Sequence, residues 1–105
     1  MTFAQNLKKE EKELELYRIW QKALKVSDTF DKHVGDAVEE HFGMPLPRER
    51  KYRYVKGLVT KLKNLYEKAK SIDPEHKYTL LTKELYDYAR DEFQEIEDFI
   101  FKTEA

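Results

Sequence analysis

The sequence predicts an all-α protein, folded as an antiparallel, up-down-up-down four-helix bundle. Two observations carry that prediction. The chain has only three glycines and three prolines in 105 residues, with 39% of its residues charged, a composition that suits helices and starves a turn-rich β fold. Its apolar residues also recur at three- and four-residue steps through four stretches separated by short breaks, and short connections make neighbouring amphipathic helices antiparallel. At this length a single domain, residues 1–105, is expected.

The first helix is expected over about residues 3–26. Thr2 followed by Gln5 is a capping-box pattern, in which a hydroxyl and an amide side chain satisfy each other's backbone N–H groups at a helix start. Phe3, Leu7, Leu14, Tyr17 and Leu24 lie along one face, and Leu16, Ile19, Trp20, Ala23 and Val26 form a second. Ser27-Asp28-Thr29 offers three successive N-cap side chains, so a break is expected there, with a second helix over 28–42. An unbroken helix through both segments would run about 60 Å, too long for a compact domain of this size.

The second helix places Phe30, Val34, Ala37, Val38 and His41 on one face and ends at Gly43. Met44-Pro45-Leu46-Pro47 reads as a loop, with Pro47 at the first position of a third helix over 47–71. Tyr52, Val55, Leu58, Val59, Leu62, Leu65, Tyr66 and Ala69 are its core face. Asp73-Pro74 supplies an N-cap and a proline at the first helical position for a fourth helix over 74–102. The expected apolar face of that helix is Tyr78, Leu81, Leu85, Tyr88, Ala89, Phe93, Ile96, Phe99 and Ile100.

The net charge of −1 conceals strong segregation. Residues 43–70 carry nine basic and two acidic side chains, and residues 84–105 carry eight acidic and two basic ones. Glu84, Asp87, Asp91, Glu95 and Asp98 fall at helical spacing along one flank, where like charges repel by a few tenths of a kcal/mol per neighbouring pair. Lys56, Lys63 and Lys70 project along one edge of the third helix's apolar stripe, and Arg50, Lys61 and Lys68 along the other. Those are the flanking positions at which bundles form interhelical ion pairs, so the basic helix is expected to face the acidic ones.

The chain has no cysteine, which removes disulfides, thiolate metal sites and thiol catalysis together. The first residues hold no basic segment followed by an apolar one, and no apolar run reaches the roughly 20 residues that span a bilayer, so a cytoplasmic location is expected. His33 and His41 are eight residues apart, about 12 Å along a helix, and cannot chelate one ion from it. With three glycines, a phosphate-cradling loop has little material to form from. No serine–histidine–acid set is present either. No cofactor, metal or catalytic residue is expected, and the chain is not expected to be an enzyme. Glu92, inside the predicted apolar stripe of the last helix, is a candidate buried carboxylate that a neighbouring cation or hydroxyl would have to satisfy.

Excess apolar surface points to a non-enzymatic interaction or regulatory protein that binds another protein or itself. Its candidate interface is Leu16, Ile19, Trp20 and Val26 on the second face of the first helix, with Phe99 and Phe101 near the end. A homodimer is the simplest version. The alternative is nucleic-acid binding through the dense start of the third helix, Arg48, Arg50, Lys51, Arg53, Tyr54 and Lys56, where cations meet phosphates and tyrosine stacks on bases. That alternative comes to the front if the lysines of this helix face solvent with no carboxylates alongside.

Overall fold

Among the described residues the protein has three helices, not four, so the expected four-helix bundle is not what forms. The structure is a computed structural model that describes the backbone of residues 3–43 and 49–104, and the side chains of residues 8–34 and 52–98. Helix α1 is Phe3–Gly43, α2 is Glu49–Ile72 and α3 is Lys77–Glu104; no strand occurs among the described residues. The helices expected over 3–26 and 28–42 are thus a single element of 41 residues.

Local chemistry explains why the expected break is absent. A serine or threonine that caps one helix can equally turn its hydroxyl back onto the carbonyl four residues earlier and stay inside another. Thr29 does this, its Oγ1 donating to the Lys25 carbonyl at 3.0 Å. Ser27 is buried at 6% exposure instead of capping, and Phe30, one position beyond the suspected cap, is fully buried. The apolar stripe therefore runs unbroken through Leu16, Ile19, Ala23, Ser27 and Phe30 at steps of three and four. The compact-domain argument fails for the same reason. At about 1.5 Å per residue α1 is about 62 Å long, and the molecule accommodates it as a rod of 62 × 20 × 17 Å.

Each of α2 and α3 shows the same seam. On α2 the buried positions are Val55, Leu58, Leu62 and Ala69, with Leu65 half-buried between them. On α3 they are Thr79, Thr82, Ala89 and Phe93, with Tyr86 half-buried in line. The α2 face is the one the periodicity predicts. The α3 face is turned by about 60° from it, at 100° per residue: Leu81 is 36% exposed and Tyr88 50%, while two threonines take core places. Both threonine hydroxyls are satisfied inside the fold. Thr79 Oγ1 donates to the Asp73 carbonyl at 2.7 Å, and Thr82 Oγ1 to the Tyr78 carbonyl at 2.8 Å. A threonine paired in this way packs like any other β-branched core residue.

Ring contacts and polar contacts set the directions. His33 meets Tyr54 and Lys12 meets Asp73, so α1 and α2 are antiparallel. Tyr52 meets Phe93 and Tyr66 meets Tyr86, so α2 and α3 are antiparallel. Tyr17 meets Tyr78 near the start of α3, and α1 and α3 run in parallel. The larger core cluster holds Ala23, Phe30, Val55, Leu58, Leu62, Ala89 and Phe93; a smaller one toward the α2–α3 turn holds Leu16, Ile19 and Ala69. Each helix touches both others, and of the two apolar stripes on α1 the one through Leu16, Ile19 and Ala23 is buried, while Leu14 and Tyr17 of the other are exposed.

α3 begins three residues later than Asp73-Pro74 predicts. The Glu75 N–H donates to Asp73 Oδ1 at 3.1 Å, which holds residues 73–76 in a turn, and the helix is capped instead by His76, whose Nδ1 accepts the Tyr78 N–H at 3.2 Å. That bond leaves the imidazole proton on Nε2, facing Glu13 at 3.9 Å. The predicted loop Met44-Pro45-Leu46-Pro47 lies outside the described residues. Among the described residues, no helix is long and apolar enough to cross a membrane.

Candidate functional site

The described lysines of α2 do not meet the acids of α3. Lys56, Lys61, Lys63, Lys68 and Lys70 are all exposed, and none of them forms an ion pair with a carboxylate among the described residues. Lys70 instead lies over the Tyr66 ring, 6.0 Å from its centre. Three acids of α3, Asp87, Asp91 and Asp98, find partners within their own helix. Arg90 bridges Asp87 and Asp91 at 3.3 Å each, and Gln94 donates to Asp98 at 3.0 Å. Two polar contacts join α2 and α3 among the described residues: Thr79 Oγ1 donates to the Ala69 carbonyl at 3.4 Å, and Tyr52 Oη donates to Glu97 at 2.8 Å. Burial first, then that carboxylate, raises the Tyr52 phenol above its ordinary value of 10.0. The expected pairing of the two charge runs is therefore corrected: each flank of opposite sign is open to solvent. The physical reason is the turned α3 seam, which swings Glu84, Asp91 and Glu95 away from α2.

The same arrangement creates a groove between α1 and α2. Its floor is Val26 and Leu65, both half-buried at the edge of the larger core cluster. Its rim is Lys22 and Lys25 from α1 and Lys61, Asn64 and Lys68 from α2, and it encloses about 510 Å³. All four lysines are exposed. No carboxylate lines the groove. Antiparallel pairing produces it: residues one turn apart on α1 come level with residues two turns apart on α2, at the flank where neither helix meets α3.

A second, smaller cleft of about 330 Å³ lies at the end of the rod where α2 turns into α3, lined by Lys9, Lys12, Glu13, Asp73 and His76. It is a polar staple. Lys12 reaches Asp73 at 3.5 Å, and His76 faces Glu13. The Glu75 backbone N–H, and after it Lys12, hold the Asp73 carboxyl below its ordinary value of 3.8, against the opposing effect of burial. A carboxylate with a depressed folded-state pKa stabilises the fold above the unfolded value and loses that stabilisation as the pH falls through the folded one. Stability is thus expected to decline on acidification below about pH 4. Asp73→Asn is expected to flatten that part of the curve while leaving the profile above pH 6 unchanged in shape. Denaturant titrations at pH 2.5 to 7 would check it, and parallel curves for the two proteins would refute it.

The residues singled out by the sequence are distributed as follows. Leu16 and Ile19, expected on an outside interface, are core residues at 0% and 3% exposure. Trp20 is half-buried and stacks on Tyr78 with ring centres 5.3 Å apart. Val26 forms part of the groove floor. The side chains of Phe99 and Phe101 lie outside the described residues, as do those of Arg48, Arg50 and Lys51. Tyr54 is 48% exposed, edge-on to His33, and Lys56 and Arg53 are exposed. Glu92 is half-buried beside Tyr88, on the α1 flank of α3 and out of its core seam; Asp31 first, with burial and Glu92 after it, raises the Tyr88 phenol. Among the described residues, no group of three or more histidines and carboxylates is placed to hold a metal ion.

Lys22 and Lys25 are the groove residues that the pattern does not single out. The signal for them is their position: they flank Val26 on α1, and they come opposite Lys61 and Lys68 only once α1 is one helix paired antiparallel with α2. Comparison with known proteins adds no analogy, since no family model, curated protein or solved structure matches the chain.

Proposed function

We propose that this chain is a binding protein whose α1–α2 groove takes an acidic, amphipathic helix of a protein partner. The observation that carries the reading is an apolar floor, Val26 and Leu65, ringed by four exposed lysines with no carboxylate among them. A helix laid in a groove presents apolar side chains at steps of three and four to the floor, and its charged flanks meet the rim. The two parts divide the work. Apolar contact supplies affinity at about 25 cal/mol per Å² removed from water. Exposed lysine–carboxylate pairs contribute under about 1 kcal/mol each and mainly set orientation and association rate.

A polyanion is the second reading. The solvent-facing lysines of α2 meet the condition that brings nucleic-acid binding to the front, and it is the composition of the groove that holds it in second place. Two features of the groove count for the protein partner over it. A phosphate backbone offers nothing to an aliphatic floor, and base stacking needs an aromatic platform, which Val26 and Leu65 do not provide. The charges on the rim are also all lysine, a set of point charges without the bidentate fork with which arginine grips phosphate.

The discriminating experiment titrates the protein with two probes at about 50 mM salt. One is a designed helical peptide with leucines along one face and glutamates along its flanks; the other is a mixed-sequence single-stranded oligonucleotide. The peptide is expected to bind, and Lys61→Gln with Lys68→Gln to weaken it by about tenfold, a change of about 1.4 kcal/mol. Retention of the oligonucleotide, without the peptide, would replace the reading by the polyanion one.

A further inference from the structure

Resting on the groove reading, we infer that the acidic helix it takes is α3 of a second copy of this chain. The outward face of α3 has the chemistry the groove asks for. Projected at about 100° per residue, Leu80, Glu84, Tyr88, Asp91 and Glu95 fall on the side opposite the seam. Leu80 is 49% exposed, a large apolar surface for a side chain on a helix that already has a core face. Tyr88, whose phenol is hydrogen-bonded to Asp31 of α1, leaves half of its surface exposed at the border of this face. Glu84 and Glu95 are exposed among them and form no ion pair with another helix among the described residues. The face therefore combines unpaired negative charge with uncovered apolar side chains, and the groove combines unpaired positive charge with an apolar floor.

One molecule cannot satisfy itself. The groove lies between α1 and α2, the acidic face points outward from α3, and the rod is 17 to 20 Å across. That separation is about twice the screening length of about 8 Å at physiological salt, so the two surfaces do not neutralise each other within the chain. Contact between copies is then heterologous, groove on one and α3 on the next. Every bound copy still offers one free groove and one free acidic face, so association continues head to tail beyond a dimer unless the geometry closes a ring.

The test uses the full chain and reads mass directly, by sedimentation or native mass spectrometry. Wild type is expected to grow past a dimer with concentration at low salt and to dissociate at about 0.5 M salt, where screening shortens to a few ångströms. Lys61→Gln with Lys68→Gln disables the groove, and Glu84→Gln with Glu95→Gln disables the acidic face; all four positions are exposed, so folding is kept. Each double variant alone is expected to be monomeric. Their equimolar mixture is expected to form a 1:1 pair and nothing larger, because one partner contributes the only intact groove and the other the only intact α3. Monomeric wild type at low salt with the designed acidic peptide still bound would overturn the inference and leave the groove reading in place. Monomeric wild type without peptide binding would overturn both. Assembly that survives in either double variant would place the contact elsewhere and overturn the inference as well.

Discussion

Phe30→Ala is expected to lower the unfolding free energy by about 4 kcal/mol, the middle of the range for truncating a buried phenylalanine. Phe30 is fully buried in the larger core cluster, among Ala23, Val55, Leu58 and Leu62. Its loss removes a large apolar side chain from the seam and leaves a cavity that three straight helices cannot easily close. Against a typical domain stability of about 5–15 kcal/mol this is a large fraction. Phe30 also sits where the caps Ser27, Asp28 and Thr29 invite the chain to leave the helix, so its packing is what keeps α1 continuous there. Urea unfolding followed by circular dichroism measures the effect. A loss under about 1 kcal/mol, the size of an ordinary surface change, would be incompatible with a continuous α1 packed through this point.

Leu62→Ala is expected to cost about 3 kcal/mol, while Leu81→Ala costs under about 1 kcal/mol. Both leucines lie on apolar faces by periodicity alone. In the fold Leu62 is fully buried between the other two helices and Leu81 is 36% exposed. The contrast tests the turned seam of α3 directly. Equal costs for the two would put Leu81 in the core and Thr79 and Thr82 outside it.

These two leucines also show what could be read from the residues and what could not. The α2 face was legible because its seam residues are apolar, its flanks are charged and its opposite face is polar or small, so periodicity had one answer. α3 misleads because its core contains Thr79 and Thr82, whose hydroxyls are satisfied by backbone carbonyls six and four residues earlier in the chain, while Leu80, Leu81 and Tyr88 stay outside. Position by position, threonine counts as polar; with its bond made, it packs. The α1 break misleads for a related reason, since a cap and a back-bonded threonine are the same residue type in two geometries. The groove was beyond reach in a different way. Its lysines are ordinary surface residues until the pairing direction and the register of α1 against α2 are known, and both depend on α1 being one helix.

The long first helix has a consequence for how the protein behaves in flow. Its radius of gyration is 17.4 Å, where a compact chain of this length would have about 13 Å. The observed value is that of a spherical protein of roughly 230 residues. On a gel-filtration column calibrated with round standards, a lone 12.7 kDa molecule would therefore elute ahead of the position its mass predicts. Frictional shape and true stoichiometry separate only when mass is weighed independently of drag, as in light scattering or sedimentation equilibrium.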